Sequence, residues 1–359
     1  MIQHKEDEEK WIKILNELSY RLKWSVAKKE YLEVNQQILN ILQKNHDDNS
    51  EEVINAMKEV ASAFNKLKNY EKEKEIREKI IERLKTKYDD TSEEVIKEMD
   101  DLAQTLSHMK DVEGEVKIRE ELVEIYKNKR GDDHEDTINA MNKVSDLLWK
   151  LNRHDEAVKI QMDIAELMQQ KYGEHSGELI DELEVLADNL YRYSENYAEE
   201  LKIRLRIVKI FEDSGKEKVR AHHDIRRYGY EHDIYYALYK LANVYDNLGQ
   251  SDGALKVRER IIEEHQKKLN ELIEKFGTEE HDDVLWEMDN IARDFRNINR
   301  LEKELEWRKR IVDILKSWKG EDDEETIDAM DTLAEAQGTL KLLNKVNEPT
   351  DDDKYKNIE

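Results

Sequence analysis

Ile54, Ile96, Ile138 and Ile180 stand 42 residues apart, and Met57, Met99, Met141 and Leu183 keep the same interval three residues further on. A fixed interval of this size marks a chain built by stacking one supersecondary unit, because each unit can bury its apolar face only against its neighbours. It excludes a fold organised around one closed core. Length then sets the number of units, so 359 residues do not translate into a domain count.

Each period reads as a helix (helix A), a short turn, a second helix (helix B) and a polar connector. Ile54, Met57, Val60, Ala61 and Phe64 recur at helical spacing on one face, and Ile76, Ile80, Ile81 and Leu84 do so on the next segment. The connector 88–92, Tyr-Asp-Asp-Thr-Ser, supplies capping residues for the helix that follows. Eight helix A segments fit this scheme, with first apolar residues Ile12, Ile54, Ile96, Ile138, Ile180, Tyr235, Leu285 and Ile327. Counting from each, the eighth position is Ser19, Ala61, Ala103, Ser145, Ala187, Ala242, Ala292 or Ala334. A small residue there lets helix B approach closely. The expectation is an all-α, right-handed α-solenoid of stacked antiparallel helix pairs over 1–346. About seven pairs are expected, with the last helix A as an unmated C-terminal cap.

The interval breaks twice. From Ile180 to Tyr235 it is 55 residues, and from Tyr235 to Leu285 it is 50. The second excess predicts a lengthened helix B, since 254–276 contains no breaker. The first places an insertion at 214–232, read as a short extra helix or an ordered loop, with Arg220, Arg226, Arg227 and Tyr228 as a possible second contact site. The segment 347–359 holds the single proline, Pro349, and three consecutive aspartates, and reads as a disordered acidic tail.

This pattern resembles the tetratricopeptide repeat family, in the 42-residue kinesin-light-chain-like variety. Phe64, Tyr245 and Phe295 resemble the family's helix A aromatic, Asn69-Tyr70 and Gly249-Gln250 sit at its inter-helix turn, and 131–137 resembles its acidic connector, with Glu135 where Pro is usual. The resemblance implies an interaction fold without catalysis. The departures are systematic. The family's turn glycine survives only as Gly249, and its helix B alanine as Ala157 and Ala254. Elsewhere that position holds Glu73, Glu115, Glu200 or Glu304, with Arg77, Arg119, Arg204 or Arg308 four residues on. Such i,i+4 pairs predict a structural ladder along helix B, worth about 0.3–0.5 kcal/mol each if exposed.

Charged residues make up 40% of the chain and the net charge is −25, which opposes general binding to nucleic acid or to an anionic membrane. The absence of Cys excludes disulfides and thiolate chemistry. With no apolar leader near Met1 and no long apolar run, a cytoplasmic location is the expectation. No phosphate loop, nucleophile elbow or zinc-helix motif occurs, so neither an enzyme nor a cofactor is expected. His222, His223 and His232 form a poor chelate, because adjacent helical residues diverge by about 100°, and no metal site is expected.

By the resemblance, helix A positions two, five, nine and twelve line the concave face. The candidates are Asn142, Asp146 and Trp149; Glu184, Asp188 and Tyr191; Tyr236, Tyr239, Asn243 and Asp246; and Trp286 and Asp289. Arg293 and Arg296 turn one edge basic. Aromatics among acids suit a basic or basic-aromatic protein or peptide segment, through cation–π and ionic contacts. The expected function is a non-catalytic interaction scaffold. The alternative is a regulatory sensor subunit that controls a separate effector through the 214–232 insertion.

Overall fold

The computed structural model describes residues 2–215, 218–219 and 232–347. They form two compact units, Met1–Glu195 and Asn196–Glu359. The N-terminal unit contains α1 (Ile2–Leu22), α2 (Lys28–Asn45), α3 (Glu51–Lys66), α4 (Tyr70–Lys87), α5 (Glu93–Met109), α6 (Val112–Arg130), α7 (Glu135–Lys150), α8 (His154–Tyr172) and α9 (Gly177–Asn189), which runs on into a π-helical turn at Leu190–Ser194. The C-terminal unit contains α10 (Tyr197–Ser214), the two-residue strands β1 (Lys218–Val219) and β2 (His232–Asp233), α11 (Ile234–Asn247), α12 (Ser251–Phe276), α13 (Asp282–Asn297), α14 (Leu301–Trp318) and α15 (Glu324–Asn347). Within each unit every helix packs on the next in sequence. Connections this short force neighbours to run antiparallel. The fold is an all-α stack of helical pairs.

The connectors start the odd-numbered helices by capping. Ser50, Ser92 and Ser176 accept hydrogen bonds through their hydroxyls from the amides of Val53, Val95 and Leu179. His134 and His281 use ring Nδ1 in the same way for Asp136 and Asp283. Each satisfies one of the donors left open at a helix start. At the opposite end, the turn into helix B needs a left-handed residue. Gly249 supplies it with φ 68°, but Lys68, Lys110, Asn152, Glu195 and Asn299 adopt φ values of 50–61° at the same place. The turn geometry is retained without its glycine, at a cost of about 1 kcal/mol for each lysine or glutamate.

The eighth helix A position carries the packing. Ser19, Ala61, Ala103, Ser145, Ala187, Ala242 and Ala292 are all buried. The two serines reach helix B directly: Ser19 Oγ donates to Asn35 Oδ1 at 2.9 Å, and Ser145 Oγ to the Ala157 carbonyl at 3.4 Å. Ala334 departs from this expectation and is exposed, while Ala336 is buried. With no helix B following α15 among the described residues, only the side of α15 against α14 is covered.

The expected Glu–Arg ladder along helix B is present, and its glutamates are buried, so the value for exposed pairs does not apply. Glu73, Glu115, Glu200 and Glu304 are all buried, and the paired N–O distances are 3.0, 2.8, 3.4 and 2.7 Å. Three of the arginines also bridge to a neighbouring helix A. Arg77 reaches Glu98 at 2.7 Å and Asp101 at 3.1 Å, Arg119 reaches Asp100 at 3.2 Å, and Arg308 reaches Asp289 at 3.2 Å. Burial pushes the Glu98 carboxyl above its usual range, against the opposing pull of Arg77.

The two irregular intervals have different causes. Helix α12 runs for 26 residues, which accounts for the second excess as a lengthened helix B. In the first, the π turn adds one residue to the end of α9, so that Glu195 takes the left-handed position one residue late. The flanks of the insertion then pair antiparallel, Lys218 with Asp233 and Val219 with His232, a ladder that the sequence reading did not include.

Candidate protein-binding face

In the N-terminal unit the candidates lie on α7, α9 and the π turn. Asn142 is buried, Asp146, Glu184 and Asp188 are half-buried, and Tyr191 is exposed at 52%. Trp149 is not an open aromatic surface, and its placement opposite the packing face is corrected. It is 1% exposed and its Nε1 donates to Gln161 Oε1 at 3.0 Å. His154 packs at 5.3 Å and Tyr193 stacks on it at 5.8 Å. The cause lies in helix B. Where four other hairpins carry Glu and Arg, this one carries Ala157 and Gln161, and the freed space takes the indole. The signal was present in the sequence, since the Ala157–Gln161 exception coincides with the tryptophan. Tyr193, which stacks on this indole, reaches solvent at 41% exposure, as Tyr191 does at 52%. Tyr193 was missed because the π turn shifts every side chain beyond Leu190.

In the C-terminal unit, Tyr236 and Tyr239 on α11 are exposed at 45% and 56%, and Trp286 on α13 at 58%. Lys240 lies 5.3 Å from the Tyr236 ring centre, so this ring already accepts a cation. Asn243 is half-buried. Asp246 is exposed and held by Arg258 of α12 through both carboxylate oxygens. Asp289 lies 2.8 Å from Arg293 and 3.2 Å from Arg308. Arg296 donates to Glu335 at 3.1 Å, which relieves the like-charge pairing of Asp331 with Glu335 on α15. Arg220, Arg226, Arg227 and Tyr228 lie outside the described residues.

Trp286 and Asp289 border a cleft of about 330 Å³ between α13, α14 and α15. Its floor is apolar, from Leu285, Ile311 and Leu315, and its rim is acidic, from Asp282, Asp289, Glu325 and Asp328. Lys319 spans one end of the rim, 3.1 Å from Asp282 and 2.7 Å from Glu325. Hydrogen bonds to Glu325 and Asp282 raise its ammonium above the usual lysine range. Asp328 is exposed and has no cation within 4.0 Å among the described residues. It was missed, although it occupies the second position of the eighth helix A. The cleft thus combines an apolar floor, an indole wall and a mainly acidic rim, with Arg308 also in its lining. No cluster of His, Cys, Asp and Glu arranged to hold a metal occurs among the described residues. No helix among them is long and apolar enough to cross a membrane.

Stacked helical hairpins with a small residue at every A–B contact define a helical-repeat protein. Residues 96–170, which span α5 to α8, match the tetratricopeptide repeat family. That match agrees with the resemblance that the 42-residue interval carries. No curated protein matches the sequence. Solved structures with a similar fold include the nearly identical TPR-like repeats of a Podosopora anserina protein described as a kinesin light chain, at 14% identity and a TM-score of 0.42, covering 57% of this chain and 97% of that one. BtubC (BKLC) from P. vanneervenii is similar at 13% identity and a TM-score of 0.37, covering 66% and 90%. The apo form of RapI is similar at 11% identity and a TM-score of 0.41, covering 87% and 82%.

Proposed function

We propose that this protein is a non-catalytic interaction scaffold that takes a basic, aromatic-tolerant segment of another protein on its helix A faces. The observation that carries the reading is the α13–α15 cleft. There Trp286 is largely exposed beside Asp328, over a floor of buried Leu285, Ile311 and Leu315. An exposed indole continuous with an apolar cleft floor is more than a lone surface aromatic, and beside Asp328 it offers Lys or Arg both cation–π and ionic contact. Tyr236 and Tyr239 extend this chemistry on α11. Tyr191 with Glu184 and Asp188 offers it separately in the N-terminal unit.

Fluorescence anisotropy with a labelled ten-residue peptide of alternating Lys, Arg and Tyr tests the reading, with an acidic peptide of equal length as control. The basic peptide binds the full chain more tightly, and its affinity falls as salt rises. Trp286→Ala and Asp328→Asn each weaken it by about 1 kcal/mol, and only the second flattens the salt response. Equal binding of both peptides, or indifference to both substitutions, refutes it.

A further inference from the structure

The first helix carries an apolar stripe that nothing among the described residues covers. In α3, α5, α7 and α13, the residue just before the first apolar position and those three and seven further on turn toward the preceding helix B. They are Val53, Ala56 and Val60 in α3, and Val284, Glu287 and Ile291 in α13, all buried. Side-chain contacts fix the direction. Glu98 of α5, at the middle of this register, meets Arg77 of α4, and Glu287 of α13 meets His265 of α12. In α1 the same register reads Trp11, Ile14 and Leu18, exposed at 50%, 56% and 42%. Leu15 and Ser19, one step round the helix, are buried in the core. The stripe therefore has the composition of a packed face in the position of a packed face.

We infer that a second copy of this chain covers it, the two α1 helices packing antiparallel about a two-fold axis near Ile14. Charge favours this occupant and orientation. Lys10 and Glu17 are exposed on the same flank of the stripe, four residues before Ile14 and three after it. In an antiparallel pair centred on Ile14, Lys10 of each copy falls beside Glu17 of the other, twice over. In a parallel pair the same flank of the two copies lies on opposite sides of the interface, and the Lys10–Glu17 match is lost. Glu17 already holds Arg21 at 2.5 Å on its own helix, so its carboxylate is oriented along this flank. A two-fold interface uses one patch twice and so needs only self-complementarity. The stripe is small beside the roughly 800 Å² per partner of a standard interface, so the dimer is reversible and dissociates on dilution.

Sedimentation velocity of the full chain from about 1 to 200 µM, the micromolar range of weak association, reads this directly. The expected result is a monomer–dimer equilibrium that saturates at two copies. Ile14→Glu raises the dissociation constant about tenfold or more while leaving the circular dichroism spectrum and melting temperature unchanged, because the residue is exposed in the monomer. Lys10→Glu weakens the dimer, and adding Glu17→Lys restores it. A monomer throughout the range overturns the inference, as does a dimer indifferent to Ile14→Glu. Open-ended association abolished by Ile327→Glu on α15 overturns it too, since it would put the contact at the other end of the chain.

Discussion

Replacing Arg308 with Met tests whether the buried ladder holds its hairpins together. Glu304 is 0% exposed and Arg308 is 6% exposed, with 2.7 Å between the paired atoms. Arg308→Met strands the Glu304 carboxylate in the interior with only Arg296, 3.9 Å away. Breaking a buried pair from one side costs about 3–5 kcal/mol, and the residual partner puts this case near the lower figure. Glu304→Ala is milder, at about 1–2 kcal/mol, because Arg308 keeps Asp289 at 3.2 Å. The double variant Glu304→Ala, Arg308→Met removes both charges and installs the alanine that Ala157 and Ala254 already place in this slot. It should fall within about 1 kcal/mol of wild type, since apolar replacement of a whole buried pair is often neutral. The singles then sum to about 4–5 kcal/mol against a double of about 1, a coupling of about 3 kcal/mol. For a unit of this size the Arg308→Met loss corresponds to a fall of about 6–12 °C in Tm. Thermal and urea denaturation followed by circular dichroism measure it, and hydrogen exchange at the α13 and α14 amides locates it. Three variants indistinguishable within about 0.5 kcal/mol would mean that the ladder behaves as a solvated surface pair, and the argument from burial would fall.

Three further outcomes follow from the packing. Lys110→Gly should raise stability by up to about 1 kcal/mol, because Lys110 holds φ 61°, while Gly249→Lys at φ 68° should lower it; chemical denaturation measures both. Ala187→Leu should overpack the N-terminal unit and cost about 1–3 kcal/mol, whereas Ala334→Leu on exposed α15 should change the melt by less than about 0.5 kcal/mol. Asp294 is held above the usual carboxylate range because burial outweighs the pull of His265 and Arg293. Its folded form binds a proton more readily than the unfolded chain, so its contribution to stability is present at low pH and is lost as pH rises through the folded pKa. Asp294→Asn should therefore gain stability relative to wild type between pH 4 and pH 8, and parallel stability–pH curves would contradict the assignment.

The repeat register was legible because burial of a helix face imposes its own period, and the small eighth position is forced by helix contact. What failed to read from the sequence failed for local reasons. Glu304 and Arg308 have the spacing of a surface pair, and only the three-dimensional stack reveals that the glutamate occupies the slot of an alanine. A single added residue at the π turn was hidden inside a 13-residue excess, 55 against 42. The π turn takes the side chains beyond Leu190 off the repeat register, and Tyr193, two residues past the expected Tyr191, is the one that stacks on Trp149. Ala334 follows the repeat in sequence but not in burial, because a pattern records the neighbour a helix was built for, whether or not that neighbour is there. On the candidate face, Trp286, Tyr236 and Tyr239 were legible as aromatics outside the packing register. The cleft was not, since it depends on how α15 sits against α13 and α14.

The most direct test of the scaffold reading is photo-crosslinking from Trp286. A benzophenone amino acid at this position, and another at Trp307 of α14 as a control, are incorporated into the full chain and irradiated in cells of its native host. The account predicts one dominant adduct from position 286, mapping by mass spectrometry to a Lys- or Arg-rich segment of its partner and lost when Asp328→Asn is added. Adducts of equal yield from position 307, or a mapped segment that is acidic, would contradict it.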